Sequence, residues 1–310
     1  MYEQRFGLKR RPFPATPDSS LYYPATSHET ALAPMLRALS ENEGLLLLTG
    51  APGTGKTVLG QVLMEQFEGD VAGVFLTNSH YPDRAGLLQA LLFDMGLPYD
   101  DGAEQVLRLR LTDHVLKNFA AGKRTIAVID EAQHLSADLL EELRLLGNLE
   151  AGQDKAFQVV CLAQDAIVET LKDPQLAAWK QRLAVHAHLE PLSAEEACDY
   201  LLHQLRLAGG KADKIIDESG LEVLASGTQG IPRLLNHAAH QALTLADAAD
   251  MDIVDAEAAL EALANLGLQM DESEAAEQET TNRAVEDEEK ETESETTAEF
   301  QLPTALRKSA

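Results

Sequence analysis

Residues 50–57 read GAPGTGKT and come directly after a short apolar run, residues 44–49, that reads GLLLLT. A helical pattern follows, so the order along the chain is strand, glycine-rich loop and helix. Gly50, Gly53 and Gly55 permit the backbone turns that aim amide groups at phosphate oxygens, at the positive end of the next helix. A glycine turn without a ligand is the alternative, but strand, loop spacing and helix all match a phosphate-binding loop. The stretch therefore predicts a P-loop that binds ATP.

Two side chains of this loop have separate expected tasks. Lys56 is expected to reach the β- and γ-phosphates, and Thr57 is expected to place its hydroxyl on a Mg²⁺ ion. The other members of the predicted nucleotide-binding set are Gly50, Ala51, Pro52, Gly53, Thr54, Gly55 and Val58.

A second element, residues 125–131 (TIAVIDE), predicts a buried strand that ends in two adjacent carboxylates. Asp130 is expected to complete the Mg²⁺ site together with Thr57, and Glu131 to polarise the attacking water as general base. The alternative is that the two acids only end the strand and precede a helix. Paired acids after an apolar strand downstream of a P-loop favour hydrolysis of ATP to ADP and phosphate.

Further apolar runs alternate with longer amphipathic stretches. The runs are residues 72–77, 157–163 and 185–189, and the amphipathic stretches include residues 103–120 and 137–149. Strands separated by helical crossovers form parallel sheets, with ligands at the carboxyl ends of the strands. The sequence therefore predicts an α/β fold with a parallel sheet flanked by helices.

After residue 191 the strand signal disappears, and four helical patterns predict a small C-terminal lid domain. Ser193 and Glu196 form the pattern of a capping box, and Pro232 suits the first turn of a helix. The predicted division is an N-terminal strap and first helix, a P-loop core, a helical lid and a disordered acidic tail. Their bounds are residues 1–43, 44–191, 192–269 and 270–310.

The formal net charge of the 310-residue chain is -26, and it is unevenly distributed. Residues 271–299 carry 13 acidic and 2 basic side chains, which predicts a disordered segment. The remainder is acidic too, so nucleic-acid binding is disfavoured, although a local basic patch stays possible. No long apolar run predicts a membrane span, and the chain is interpreted as cytoplasmic. Cys161 and Cys198 are interpreted as buried, reduced thiols.

Several motifs together resemble the AAA+ ATPases of the ExeA type, also called general secretion pathway protein A. They are FGL at 6–8, PF at 12–13, TPD at 16–18, LYY at 21–23, SHETAL at 27–32, DEAQHLS at 130–136, LRLLGNLE at 143–150 and GIPRLLN at 230–236. Similar cores occur in ATPases that regulate transposition. The resemblance implies an AAA+ fold, and it also implies a homo-oligomer that acts on protein partners in secretion or envelope-associated assembly.

The resemblance also implies roles for three further residues. Gln164, at the end of a strand, would orient water or sense the γ-phosphate, unless it is a polar group facing solvent. Arg182 matches the place of a finger that completes a neighbouring subunit's site, unless it is a surface residue or pairs with Glu190. Arg233, in GIPR, would contact the γ-phosphate of its own subunit, unless it forms a salt bridge between domains.

The N-terminal segment through Tyr23 has few helix signals, so we expect an extended strap beside the adenine. Tyr22 and Tyr23 are equally good as base contacts or as core residues. Members of the ExeA type are expected to continue into a membrane span and a periplasmic domain, whereas this sequence ends in an acidic tail. Two other functions therefore stay open, a DNA-associated regulator like the transposition ATPases and a nucleotide-gated adaptor that hydrolyses ATP slowly.

Overall fold

The computed structural model of the chain describes residues 2–268, apart from Glu68, Asp70, Asp101 and Gln153. The predicted acidic tail, residues 270–310, lies outside the described residues. None of the described helices combines the length and the apolar character that crossing a bilayer requires.

The core is a five-stranded sheet, whose strands are β1 Leu45–Gly50, β2 Val71–Leu76, β3 Arg124–Ile129, β6 Phe157–Ala163 and β7 Val185–Leu189. Their order in the sheet is β2-β3-β6-β1-β7, and every pair of neighbours is parallel. Two more strands, β4 Glu150–Ala151 and β5 Asp154–Lys155, form a small antiparallel hairpin that the sequence pattern did not predict. Every residue of β1 and β6 is buried, as near-continuous apolar strands in the middle of a parallel sheet should be.

Helices cover both faces of the sheet. Their bounds are α1 Tyr2–Arg5, α2 Thr26–Ser40, α3 Lys56–Glu65, α4 Arg84–Asp94, α5 Glu104–Ala120, α6 Ala137–Leu146, α7 Ala166–Thr170, α8 Ala177–Arg182, α9 Ala194–Leu207, α10 Glu218–Gly227, α11 Pro232–Ala248 and α12 Ala256–Asn265. Helices α2 and α3 pack on one face of the sheet, and α4, α5, α6 and α8 pack on the other. The predicted α/β fold, with helices on both faces of a parallel sheet, is confirmed.

Helices α9 to α12 pack around an apolar core of their own and form the lid. The capping box of Ser193 and Glu196 is present, and Pro232 is the first residue of α11, as predicted. The chain turns into α11 at Gly230, whose φ of 65° favours glycine. A Cβ atom there would lie 1.9 Å from the carbonyl oxygen of Leu192, so this turn also needs glycine for space.

The N-terminal strap is less extended than the sequence suggested. It contains α1 and a short 3-10 turn at Ser19–Leu21, and its side chains Tyr2 and Phe6 are buried against the lid. These two residues are four apart and face the same side of one helical turn, which gives a very short helix an apolar face to bury. Of the two thiols, Cys161 is buried as predicted, but Cys198 is only half-buried because it lies near the surface of α9.

Candidate functional site

The residues predicted to carry the chemistry lie together at the carboxyl ends of the strands. The P-loop follows β1, Asp130 and Glu131 follow β3, and Gln164 follows β6. These three strands are adjacent and parallel, so their carboxyl ends lie side by side. The strand order thus brings together groups that are more than 70 residues apart in the chain.

The loop backbone has the conformation that its glycines were expected to supply. Gly53 has a φ of 87° and Gly55 a φ of 105°, both in the region that favours glycine. Helix α3 begins at Lys56, so its first amide groups lie at the loop and carry the positive end of the helix dipole. The loop is therefore suited to an anion.

The Lys56 ammonium lies against the loop itself, where it donates hydrogen bonds to the carbonyl oxygens of Gly50 (2.9 Å) and Ala51 (2.8 Å). Burial lowers the pKa of Lys56, and the nearby carboxylates of Glu131 and Asp130 oppose that effect. A buried ammonium beside a phosphate-binding loop provides concentrated positive charge for an anionic ligand.

Thr57 and Asp130 form a pair of oxygen donors. The Thr57 hydroxyl donates to Asp130 Oδ2 at 2.6 Å, and Asp130 Oδ1 accepts from the Glu131 backbone N–H at 2.9 Å. Asp130 is only 4% exposed, and burial raises the pKa of its carboxyl, although the Thr57 hydrogen bond opposes this shift. Hydroxyl and carboxylate oxygens are the donors that Mg²⁺ prefers, so the pair fits this ion.

Glu131 is held at the mouth of this site in a left-handed backbone conformation, with a φ of 55°. Its Oε2 accepts a hydrogen bond from the side-chain amide of Gln164 at 3.3 Å. Gln164 therefore faces the acidic pair, and its role toward water or the γ-phosphate stays a prediction.

Gln133 is a site residue that the sequence analysis missed. Its amide Nε2 donates to Glu131 Oε2, and its Oε1 accepts from the backbone N–H of Gln164 at 3.0 Å. The side chain thus connects the ends of β3 and β6. The only feature of the sequence that pointed to Gln133 was its position two residues after Glu131, in DEAQ. The local sequence does not indicate the direction of its side chain.

His28, in α2, is a second missed residue. It is buried, and its Nε2 donates to the carbonyl oxygen of Thr54 in the P-loop at 3.1 Å. A Cβ atom on Gly55 would lie 3.0 Å from the same nitrogen, so the imidazole packs directly against the loop. Only tertiary contact reveals this, because His28 precedes the loop by more than 20 residues.

The lid reaches the P-loop through Arg233. Its backbone N–H donates to the Gly53 carbonyl oxygen at 3.2 Å, and its side chain lines the same cavity as Lys56 and Thr57. Within the described part of the chain, the Arg233 guanidinium has no carboxylate within ion-pair distance. Among the described residues, Arg233 therefore forms no salt bridge between the lid and the core.

Arg182 lies far from this edge of the sheet. It ends α8, just before β7, and Ala184 donates its backbone N–H to Leu45 at the start of β1 (3.0 Å). The P-loop follows the other end of β1, roughly 15–20 Å away for a six-residue strand. Arg182 is exposed in a groove that Arg144 and Lys155 also line, so it cannot serve the site of its own subunit.

A cavity extends from the P-loop between the N-terminal strap and the lid. Its lining residues are Pro14, Ala15, Thr16, Pro17, Asp18, Leu21, Tyr22, Tyr23, His28, Pro52, Gly53, Gly55, Lys56, Thr57, Val58, Glu131, Gln164, Tyr200, Gln204, Pro232, Arg233, Asn236 and His237. The strap thus lines the space next to the P-loop, and its contact with a nucleotide base stays a prediction.

Comparison with known proteins agrees with this architecture. The family described as AAA domain matches residues 38–171. General secretion pathway protein A of Aeromonas hydrophila is 38% identical over 247 residues, which are 79% of this chain and 45% of that protein. The chain therefore spans less than half the length of this curated relative.

Solved structures share the fold at low sequence identity. The ORC2 protein of Aeropyrum pernix, in ADPNP-ADP complexes, gives a TM-score of 0.64 at 17% identity and covers 83% of this chain and 71% of its own. Cdc6p from Pyrobaculum aerophilum gives 0.64 at 18%, covering 79% and 70%. The solved structures show the fold, and the AAA-domain match together with the 38% identical relative shows that residues 38–171 form an AAA+ core of the ExeA, or general secretion pathway protein A, type.

Proposed function

We propose that this protein binds ATP with Mg²⁺ and hydrolyses it to ADP and phosphate. The observation that carries the proposal is the meeting of Lys56, the Thr57–Asp130 pair and Glu131 at one sheet edge, at the start of a helix. Such a constellation supplies what phosphoryl transfer to water needs, namely positioning and electrostatic stabilisation.

Binding is assigned to the loop and the residues around it. The backbone of residues 50–58 would cradle the phosphates, and Lys56 would place positive charge beside them. Thr57 and Asp130 would hold Mg²⁺, which when bound supplies positive charge to the phosphate oxygens. Arg233 would add a cation from the lid, so that bound nucleotide stabilises the contact between α11 and the loop.

Hydrolysis is assigned to Glu131 as the base that takes a proton from the attacking water. Gln164 would orient that water or sense the γ-phosphate, because its amide lies against the same carboxylate. Arg182 would act in the site of a neighbouring copy, since its position at the opposite edge of the sheet leaves a partner subunit as its target. A homo-oligomer is therefore part of the proposal.

The physical work is proposed to be a change in protein assemblies of secretion or the cell envelope. The similarity to general secretion pathway protein A supports this choice, and the acidic balance of the chain disfavours a nucleic-acid track. The proposed location of the protein is the cytoplasm.

The test compares ATP binding and turnover in the wild type, Lys56→Ala and Glu131→Gln. We expect Glu131→Gln to keep ATP affinity within about threefold while kcat falls at least about a hundredfold, because only the base is lost. Lys56→Ala is expected to weaken ATP binding itself. Turnover by Glu131→Gln at the wild-type rate would exclude the assigned base, and a wild type that binds ATP without turnover would favour the nucleotide-gated adaptor.

A further inference from the structure

An exposed basic patch lies where the strap crosses the end of α9 in the lid. The Lys9 backbone N–H donates to the carbonyl oxygen of Ala208 at 2.8 Å, and the Lys9 side chain passes over Gly209, where a Cβ atom would lie 3.0 Å from Lys9 Cδ. Arg206, in the last turn of α9, reaches Asp213 at 3.6 Å, so the turn after α9 folds back on the same contact. The basic patch consists of five exposed residues, Lys9, Arg10, Arg206, Lys211 and Lys214.

Few carboxylates oppose these five cations. Within the described part of the chain, Arg206 is the one member of the basic patch with a carboxylate at ion-pair distance, and that carboxylate, Asp213, is 85% exposed. Asp18 also lies near the patch, because its pKa is lowered by hydrogen bonds from Ser20 and, to a smaller extent, by Arg10. Five cations against these two carboxylates give the patch a positive charge.

The sign of the basic patch is opposite to that of the protein around it. Residues 1–270 carry 38 acidic and 21 basic side chains, so most of the surface repels anions. Neighbouring like charges repel each other, and an occupant with several negative charges removes that repulsion. The patch therefore suits a polyanion rather than a single carboxylate.

The chain itself contains a segment of the matching charge. Residues 271–299 carry 13 acidic and 2 basic side chains, and residues 286–289 are four acids in a row. Leu268 packs against the apolar core of the lid, so this segment is joined to the domain that carries Arg206, Lys211 and Lys214. A segment of its length spans roughly 100 Å when fully extended, whereas the 17 residues of α11 measure about 25 Å. The segment is therefore long enough to reach the basic patch of its own chain.

We infer that the acidic segment, residues 271–299, docks on the basic patch of its own chain. Exposed ion pairs are individually weak, but attachment to the same domain gives the segment a high effective concentration at the patch. The docked segment holds the strap against the end of α9, and an external polyanion has to displace it in order to bind there. This surface lies outside the cavity at the P-loop, so the inference does not rest on the proposed ATPase function.

The experiment treats the full chain with a carbodiimide, which joins a lysine amine to a carboxylate in contact with it, and identifies the joined peptides by mass spectrometry. Lys123, exposed on the core, is the control for Lys9, Lys211 and Lys214. We expect these three lysines to join residues 271–299 at least about fivefold more often than Lys123 does. The difference should disappear in 1 M salt, because charges are then screened within about 3 Å.

A matched pair of variants tests whether the charge of the patch attracts the segment. Arg206 and Arg37 are both exposed arginines with one exposed acidic partner, Asp213 and Glu41 respectively. We expect Arg206→Gln to lower the yield of joined products at the patch about twofold, as the loss of one exposed ion pair should. Arg37→Gln makes the same change of charge on the core and should leave that yield unchanged.

The remaining outcomes contradict the inference in distinguishable ways. Equal joining of the patch lysines and Lys123, or a yield that Arg206→Gln leaves unchanged, would overturn it. Joined products with the mass of two chains would assign the basic patch to the acidic segment of a second copy. If no joined product involves residues 271–299 and Arg206→Gln weakens the binding of a labelled DNA oligonucleotide, the patch is a nucleic-acid site instead. Joining of Lys117 to Asp113, whose charged atoms are 2.6 Å apart, serves as the positive control.

Discussion

At the scale of single residues, the site depends on a side chain that touches no predicted ligand. Gln133 contacts Glu131 through Nε2 and the Gln164 backbone through Oε1, so it holds the proposed base against the neighbouring strand. Such a residue positions a reacting group without joining the chemistry. Small errors in the position of a catalytic group lower the rate strongly.

Gln133→Ala is therefore expected to lower kcat by about tenfold and to leave ATP affinity within about twofold, because Gln133 does not line the cavity. Gln133→Glu is the matched variant. It keeps an acceptor for the Gln164 N–H but places a second carboxylate beside Glu131, so its kcat should be no higher than that of Gln133→Ala. Steady-state kinetics and titration calorimetry give the two readouts, and an unchanged kcat in Gln133→Ala would show that Glu131 is positioned without it.

The sequence predicted the residues of the proposed phosphate and metal sites better than the residues that support them. GAPGTGKT and TIAVIDE carry their chemistry in local spacing, so the P-loop and the acidic strand end were readable from the chain alone. His28 and Gln133 act through contacts that form only when the chain folds. No local sequence pattern predicts a hydrogen bond to a distant backbone atom. The role of Arg182 stays a prediction, because it requires a second copy of the chain.

At the scale of elements, the contact between α5 and α6 contains a buried charge. Glu142 is fully buried on α6 and accepts a hydrogen bond from Arg108 of α5 at 2.7 Å, while its other oxygen lacks a partner in the described structure. Burial raises the pKa of the Glu142 carboxyl, and Arg108 only partly opposes this. The charged form is thus costly in the folded protein.

The sign of the resulting pH effect follows from this shift. A carboxyl whose pKa is higher in the folded state loses stability as the pH rises from its unfolded value through its folded value. Glu142→Gln removes that loss, so the free energy of unfolding of the variant, relative to that of the wild type, should increase as the pH rises from 4.5 toward neutral. Urea titrations across this range measure the difference. If the free energy of unfolding of the wild type instead increases relative to that of the variant, the pKa of Glu142 is not raised in the folded state.

Two further variants serve as controls for the pH effect of Glu142. Arg108→Met leaves the buried carboxylate without its partner and should cost about 2 kcal/mol at neutral pH, reduced from larger values because the Arg108 side chain is 31% exposed. Glu141→Gln should show the opposite pH trend, because the bond to Arg144 lowers the pKa of Glu141. Its deficit relative to the wild type should shrink as the pH falls.

At the scale of the whole molecule, the proposed active site has two halves, which lie at opposite ends of the strands of one sheet. The P-loop site follows the carboxyl ends of the strands, and Arg182 precedes β7 at the other end. In the proposed oligomer, one chain would therefore present its site to one neighbour and its Arg182 cation to another. This arrangement suits a head-to-tail assembly, in which the same contact repeats around a ring or along a filament.

Mixing two inactive variants tests this arrangement. Glu131→Gln lacks the base but keeps Arg182, whereas Arg182→Ala lacks the finger but keeps the base. We expect each alone to be nearly inactive and an equimolar mixture to recover a measurable part of wild-type turnover, because a mixed contact contains one complete site. A mixture no more active than the sum of its parts would mean that Arg182 does not act in a neighbour's site.

ATP turnover, measured against protein concentration with the molecular mass recorded at each concentration by light scattering, decides whether the protein works as an oligomeric ATPase. We expect turnover per chain to rise steeply as the mass passes from monomer to oligomer, and Glu131→Gln to assemble with ATP without hydrolysing it. Turnover that stays negligible at every concentration, while the mass remains that of a monomer, would exclude an oligomeric ATPase.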